Sequence, residues 1–117
     1  MSSDTKTYNG WTNYETWCVH LWLSNDEGTY RYWREEAERH RDEAPSHPNV
    51  TQGIWTVEEA ARYTLAETMK ESFETFHPFR GEHLAKPNEP DVFCDLLDAA
   101  LSEVRWCDVA EAFLEDL

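Results

Sequence analysis

The sequence predicts an all-α protein, a compact single-domain bundle of about five helices. Helix-start signals recur along the chain at helix-length intervals, and the apolar residues between them fall three and four apart. No run alternates apolar and polar residues over a useful length, so no sheet is expected. At 117 residues the chain is long enough for one core and too short for two. Its hydrophobic fraction of 40% is modest, but aromatics at 14% supply large buried areas per residue. That favours a folded domain over a disordered acidic tail. Residues 1–117 therefore read as a single helical domain, with residues 1–10 as a partly ordered arm.

The elements follow in order. Thr12-Asn13-Tyr14-Glu15 has the form of a capping box, in which hydroxyl and carboxylate satisfy free N–H groups at a helix start. A helix over 14–23 would place Trp17, Leu21 and Cys18 on its buried stripe. Ser24-Asn25-Asp26-Glu27 is a second such box, so one helix should end there and another begin at once, running to Ala44 before Pro45. Tyr30, Trp33 and Ala37 are its apolar positions. Residues 45–55, with Pro45, Pro48 and Gly53, read as a connecting loop anchored by Ile54 and Trp55. Thr56-Val57-Glu58-Glu59 opens a third helix to Phe76, with Val57, Ala60, Ala61, Leu65, Met69, Phe73 and Phe76 facing the core.

A second loop spans 77–89. Pro90 and Asp91 suit the first turn of the next helix. Val92, Phe93, Leu96, Leu97, Ala100 and Leu101 would form its apolar face. After a break at Val104-Arg105, a last helix over 106–114 turns Val109, Ala110, Phe113 and Leu114 inward. The expected arrangement packs the N-terminal helix pair against the C-terminal pair.

The net charge is −14, and residues 81–117 hold ten acids against two bases. Such a balance argues against direct nucleic-acid binding and leaves open a protein partner with a basic surface. Solubility, adaptation to a salty cytoplasm and mimicry of a nucleic acid would each produce it; seven Arg against three Lys fit the second. No apolar run approaches a membrane span, and the start lacks the apolar stretch of a signal peptide, so the chain reads as cytoplasmic with no membrane partner. Three cysteines without close pairing read as reduced thiols.

Two segments carry a resemblance. Asn9-Gly10-Trp11-Thr12-Asn13-Tyr14-Glu15-Thr16-Trp17, with Leu21-Trp22-Leu23-Ser24-Asn25-Asp26-Glu27-Gly28, resembles the opening of a family of small uncharacterised proteins of bacteria, archaea, phages and plasmids. Leu96-Leu97-Asp98-Ala99-Ala100-Leu101-Ser102-Glu103-Val104-Arg105-Trp106 is similar to that family's closing motif. The resemblance implies one compact unit whose ends belong together, in a mobile-element setting. Cys18 and Arg105 stand where relatives are expected to carry asparagine, and Arg105 weakens the cap before the final helix.

Chemistry-bearing patterns are sparse. His77, His83, Cys94 and Cys107 would converge if the second loop folded over the last two helices. They lack the close Cys and His spacings of structural zinc sites, so no metal and no cofactor is expected, and surface histidines with packed cysteines are the simpler reading. Cys18 and His20 diverge by about 200° on a helix and make no nucleophile pair. The glycines stand alone, without a phosphate-binding loop. No catalytic residues are assigned, and an enzyme is not expected.

The expected function is that of a non-enzymatic acidic binding protein. Its partner-facing carboxylates would be Asp91, Asp95, Asp98, Glu103, Asp108, Glu111 and Glu115, on the outward faces of the last two helices. Trp22 and Tyr32, which fall off the apolar stripes, are the candidate exposed anchors. The sharper form is a DNA mimic inhibiting a nucleic-acid-binding protein. The alternative is a structural or accessory module, or a homodimer, whose acidity serves solubility or salt tolerance.

Overall fold

The structure, a computed structural model, describes residues 8–78 and 92–117. Its elements are α1 (Tyr14–Asn25), α2 (Glu27–Glu43), a 3-10 turn (Ala44–Ser46), the single-turn α3 (Pro48–Thr51), α4 (Val57–Thr75), α5 (Val92–Ser102) and α6 (Trp106–Glu115). The five long helices match the expected all-α bundle, and the described residues contain no strand. The stretch read as a plain loop over 45–55 instead winds into the 3-10 turn and α3. Pro48 supplies a preset φ at the first turn, and the His47 ring Nδ1 caps it by accepting from the Asn49 N–H. Trp55, stacked on His47 at 5.1 Å and edge-on to Tyr63, anchors this segment, while Ile54 points to solvent.

The core is built from Leu23 of α1, Trp33 and Ala37 of α2, Leu65, Ala66 and Met69 of α4, and Val109, Ala110 and Phe113 of α6. Helix α4 is the hub: it packs along both α2 and α6, and α1 lies over α2 and α6. The expected pairing of N-terminal hairpin with C-terminal pair therefore holds for α6 alone. Helix α5 packs extensively on no other described element. Its orientation also differs from expectation. Cys94 is its buried residue and Leu97 and Leu101 are half-buried, whereas Val92, Phe93 and Leu96 are exposed. An eleven-residue helix with apolar residues around much of its girth does not reveal which part of that girth meets a neighbour.

The helix starts are built differently from two of the three predicted boxes. Asn13, not Thr12, caps α1, its side-chain oxygen accepting from the Thr16 N–H at 2.9 Å. Thr12 is drawn away to Asp108, to which its hydroxyl donates at 3.2 Å. Asp26 caps α2, accepting from the Thr29 N–H, while the Ser24 hydroxyl donates back to the His20 carbonyl inside α1. Thr56 and Glu59 do form a true capping box on α4. Val57 and Phe76, expected to face the core, are instead exposed at the two ends of that helix. The buried stripe of α1 runs through Thr16 and Leu23, with Val19 packed against the core. Trp17, Cys18 and Leu21 are only half-buried.

Thr16 is fully buried and joins the chain's two ends. Its hydroxyl donates to Asn13 Oδ1 at 2.6 Å and accepts the Arg105 N–H at 2.9 Å. Asn13 Nδ2 donates to the Glu103 carbonyl at 2.8 Å. Arg105 offers no side-chain cap to α6, and its own backbone N–H at the α5–α6 junction is satisfied from α1. Before α1, Asn9 and Gly10 both take positive φ (50° and 88°), and Tyr8 and Trp11 exchange two backbone hydrogen bonds across them. This is the Asn-Gly turn geometry that folds a chain back on itself. It lays the Tyr8 ring on Tyr14 and Trp17.

Replacing Thr16 by Val keeps the volume but leaves the Arg105 N–H without its acceptor, and should destabilise by about 1–3 kcal/mol. Asn13→Ala removes a cap and should cost about 1 kcal/mol by that route alone. Urea denaturation of both single variants and the double variant should show strong non-additivity, because the two side chains share one hydrogen bond.

Candidate functional site

The carboxylates assigned to a partner-facing surface divide into two groups. Asp95, Glu103 and Glu115 are exposed, and their carboxylates make no hydrogen bond or ion pair. Asp98, Asp108 and Glu111 are half-buried and engaged inside the molecule. Asp98 binds His77, Asp108 accepts from Thr12, and Glu111 pairs with Arg62 at 3.4 Å. Asp91 lies outside the described residues. Tyr30 and Arg34 of α2 engage neighbouring Asp116. The acidic face of the C-terminal helices is thus partly consumed in holding α6 to α1, α2 and α4.

The glutamates that flank Lys70 on α4, which read from sequence as an ordinary solvated arrangement, form a row with Glu74. Glu67, Glu71 and Glu74 stand four and three residues apart, so they share one face. All three are exposed and make no ion pair, although Lys70 stands in the same row. The row leads into a cleft of about 600 Å³ bounded by α4, α5 and the start of α6. Lys70, Glu74, His77 and Asp98 supply its polar lining, and Phe73, Leu101, Val104 and Trp106 its apolar lining. Phe73 and Trp106 pack ring to ring at 5.0 Å. Both proposed aromatic anchors lie at the surface: Trp22 is 69% exposed, and Tyr32 52% with its ring edge-on to Trp33.

The metal-ligand set considered from sequence assembles differently. His77 and Cys94 come together, and Asp98 joins them. His83 lies outside the described residues. Cys107 sits elsewhere, near Arg62 and Glu111, where burial pushes its thiol pKa up against the lowering effect of Arg62. A thiol held protonated in this way is a poor nucleophile. His77 is a buried residue rather than a surface one, with its Nε2 2.9 Å from Asp98 Oδ1. The expectation of scattered surface histidines fails here because Cys94 and Asp98, one turn apart on α5, face the chain leaving α4.

Among the described residues a further buried histidine, His40 of α2, is clasped by α4. Its ring nitrogens lie 2.8 Å from Thr64 Oγ1 and 3.3 Å from Thr68 Oγ1. Burial lowers its pKa, Arg39 lowers it further, and Glu36 and Glu43 oppose. Burial likewise lowers that of His20, against Asp116. Both rings are structural: each packs between elements, and neither lines the α4–α5 cleft.

Similarity to known proteins is confined to the N-terminal part. A family of unknown function (DUF7249) matches residues 4–52, the stretch that carries α1, α2 and α3. Neither a curated protein nor a solved structure matches the chain. The matched stretch contains Asn13, Thr16 and the Asn-Gly turn, while their partners at Glu103 and Arg105 lie beyond it. No described helix is long and apolar enough to cross a membrane.

His40 sets a pH dependence. Its folded pKa lies below the ordinary 6.5, so the unfolded chain binds the proton more readily. The stability it supports is complete above 6.5 and is lost as pH falls towards the lowered folded value. Urea midpoints measured between neutral pH and the lowest pH at which the protein stays folded should decline in wild type. The decline should be shallower in His40→Gln, with His20 supplying the remainder.

Proposed function

We propose that this chain is a non-enzymatic binding protein that engages a basic protein surface through its carboxylates. The observation that carries the reading is the unneutralised row Glu67, Glu71 and Glu74, which ends at the acid- and aromatic-lined cleft between α4 and α5. A lysine or arginine of the partner would meet Glu74 at the cleft mouth. The rings of Phe73 and Trp106 offer it aromatic surface. Asp95 and Glu103 extend the same sign of charge along α5 and its end. Trp22 and Tyr32 would serve as anchors on the opposite part of the sequence, where exposed aromatic rings give large contact area.

In its sharper form the partner is a nucleic-acid-binding protein and the carboxylates stand for phosphates. Three carboxylates over about 10 Å of α4 axis leave gaps of about 5 Å, wider than the roughly 3.4 Å axial rise per phosphate of one DNA strand, so they would stand for a subset of the phosphates. A second reading, a helical module that self-associates, draws on Val92, Phe93 and Leu96, which are exposed together on α5.

The test is capture from nuclease-treated lysate at low and high salt with wild type and a Glu67→Gln/Glu71→Gln/Glu74→Gln variant. A basic partner held at low salt should be released at high salt, since screening weakens exposed charge pairs. The triple variant should bind it roughly ten- to a hundred-fold more weakly, on the usual worth of surface pairs. Undiminished capture by the triple variant would remove the acidic row from the interface. Salt-insensitive self-association in sedimentation would favour the α5 reading.

A further inference from the structure

The residues at the inner end of the cleft have a chemistry that partner binding does not use. His77 follows the end of α4, and Cys94 and Asp98 occupy positions one turn apart on α5, so three different donors converge from two elements. His77 is 3% exposed and Cys94 2%, so an imidazole and a thiol are held together away from bulk solvent beside the half-buried Asp98. His77 Nε2 lies 2.9 Å from Asp98 Oδ1, Cys94 Sγ lies 3.7 Å from Asp98 Oδ2, and one ligand atom from each residue falls within 4.8 Å of the others.

Tetrahedral coordination at bond lengths of about 2.0–2.3 Å separates neighbouring ligand atoms by about 3.3–3.8 Å. The two distances to Asp98, made by different carboxylate oxygens, fall just below that range and at its upper end, and all three ligand atoms lie within 4.8 Å. A cation is therefore accommodated by shifts of a few tenths of an ångström to about 1 Å, within the reach of side-chain rotation.

We propose that His77, Cys94 and Asp98 bind a divalent transition-metal ion, with Zn²⁺ as the favoured ion. A thiolate and an imidazole select a borderline-soft ion over Ca²⁺ or Mg²⁺, which take oxygen ligands. On binding, the Cys94 thiol gives up its proton to solvent and its sulfur becomes the anionic donor. The described residues supply three donors of a four-coordinate ion. His77 and Asp98 both line the cleft, which gives a further ligand access. The ion would clip α5, which packs extensively on no other described helix, to the end of α4. The site stands independently of the binding function proposed above: it needs neither the acidic row of α4 nor a partner protein.

Cobalt(II) is the reporting ion for the test. Reduced, chelator-stripped protein carrying Cys18→Ser and Cys107→Ser retains Cys94 as its one thiol. Titration with Co²⁺ should saturate at one equivalent, with a thiolate-to-cobalt charge-transfer band in the near ultraviolet and strong visible bands of four-coordinate cobalt. One equivalent of Zn²⁺ should abolish both. Further replacement of Cys94 by Ser should remove the charge-transfer band, and His77→Gln should weaken Co²⁺ binding at least ten-fold. In wild type, Zn²⁺ at 100-fold above its Kd should raise Tm by about 10 °C. Absence of the charge-transfer band in the protein whose one thiol is Cys94 would overturn the proposal without recourse to any variant of the site. Bands that persist after Cys94→Ser would overturn it equally.

Discussion

The bundle depends on one buried hydroxyl. Thr16 has no access to solvent, and its oxygen joins the cap of the first long helix to the backbone that leads into the last. The N–H of the N-cap residue Arg105 lies outside the hydrogen-bond ladder of α6 and needs an acceptor from elsewhere. Thr16 supplies the acceptor from the other end of the sequence. Asn13 adds a second tie to Glu103, and Thr12 a third to Asp108. The aromatic opening then has a fixed seat, with Trp11 over His20 and the Tyr8 ring folded onto Tyr14 and Trp17.

That tie explains why the two motif-like ends of the chain go together. The matched stretch 4–52 contains one half of the hydrogen-bond system, and the segment around Glu103 and Arg105 contains the other. At these positions the side chains close the fold. The chemistry lies elsewhere. It gathers where the central helix α4 ends and the sparsely packed α5 passes, at a cleft that combines carboxylates, a buried imidazole and aromatic rings.

The division of the acids follows from the same packing. Asp108 and Glu111 on α6, and Asp116 just after it, find partners because that helix is surrounded by α1, α2 and α4, and Thr12 ahead of α1, Tyr30, Arg34 and Arg62 reach them. Among the described residues, those on the outer face of α4 and on α5 are exposed and make no ion pair, with Lys70 as the one base in the α4 row, apart from Asp98, which is held by His77. Charge left unpaired in this way is available for a partner; charge turned inward is structural.

Much of the fold was legible in the chain. Period, breakers and caps are local, so Pro45, the Thr56–Glu59 box and the apolar spacing of α4 and α6 are enough to place the helices. The exposure of Trp22 and Tyr32 is likewise what their places off the apolar stripes imply. Competition between neighbouring cap residues was not legible: Asn13 displaced Thr12 because a distant aspartate engaged the threonine. Nor was the face of α5 that turns inward, since apolar residues surround much of that helix. The sequence by itself determined an acidic all-α chain and the approximate places of its five long helices, because those are properties of contiguous residues; the expected first turn at Pro90 and Asp91 lies outside the described residues. Only the tertiary structure decided which acids are spent internally and that His77, Cys94 and Asp98 meet, because both rest on contacts between residues far apart in the chain.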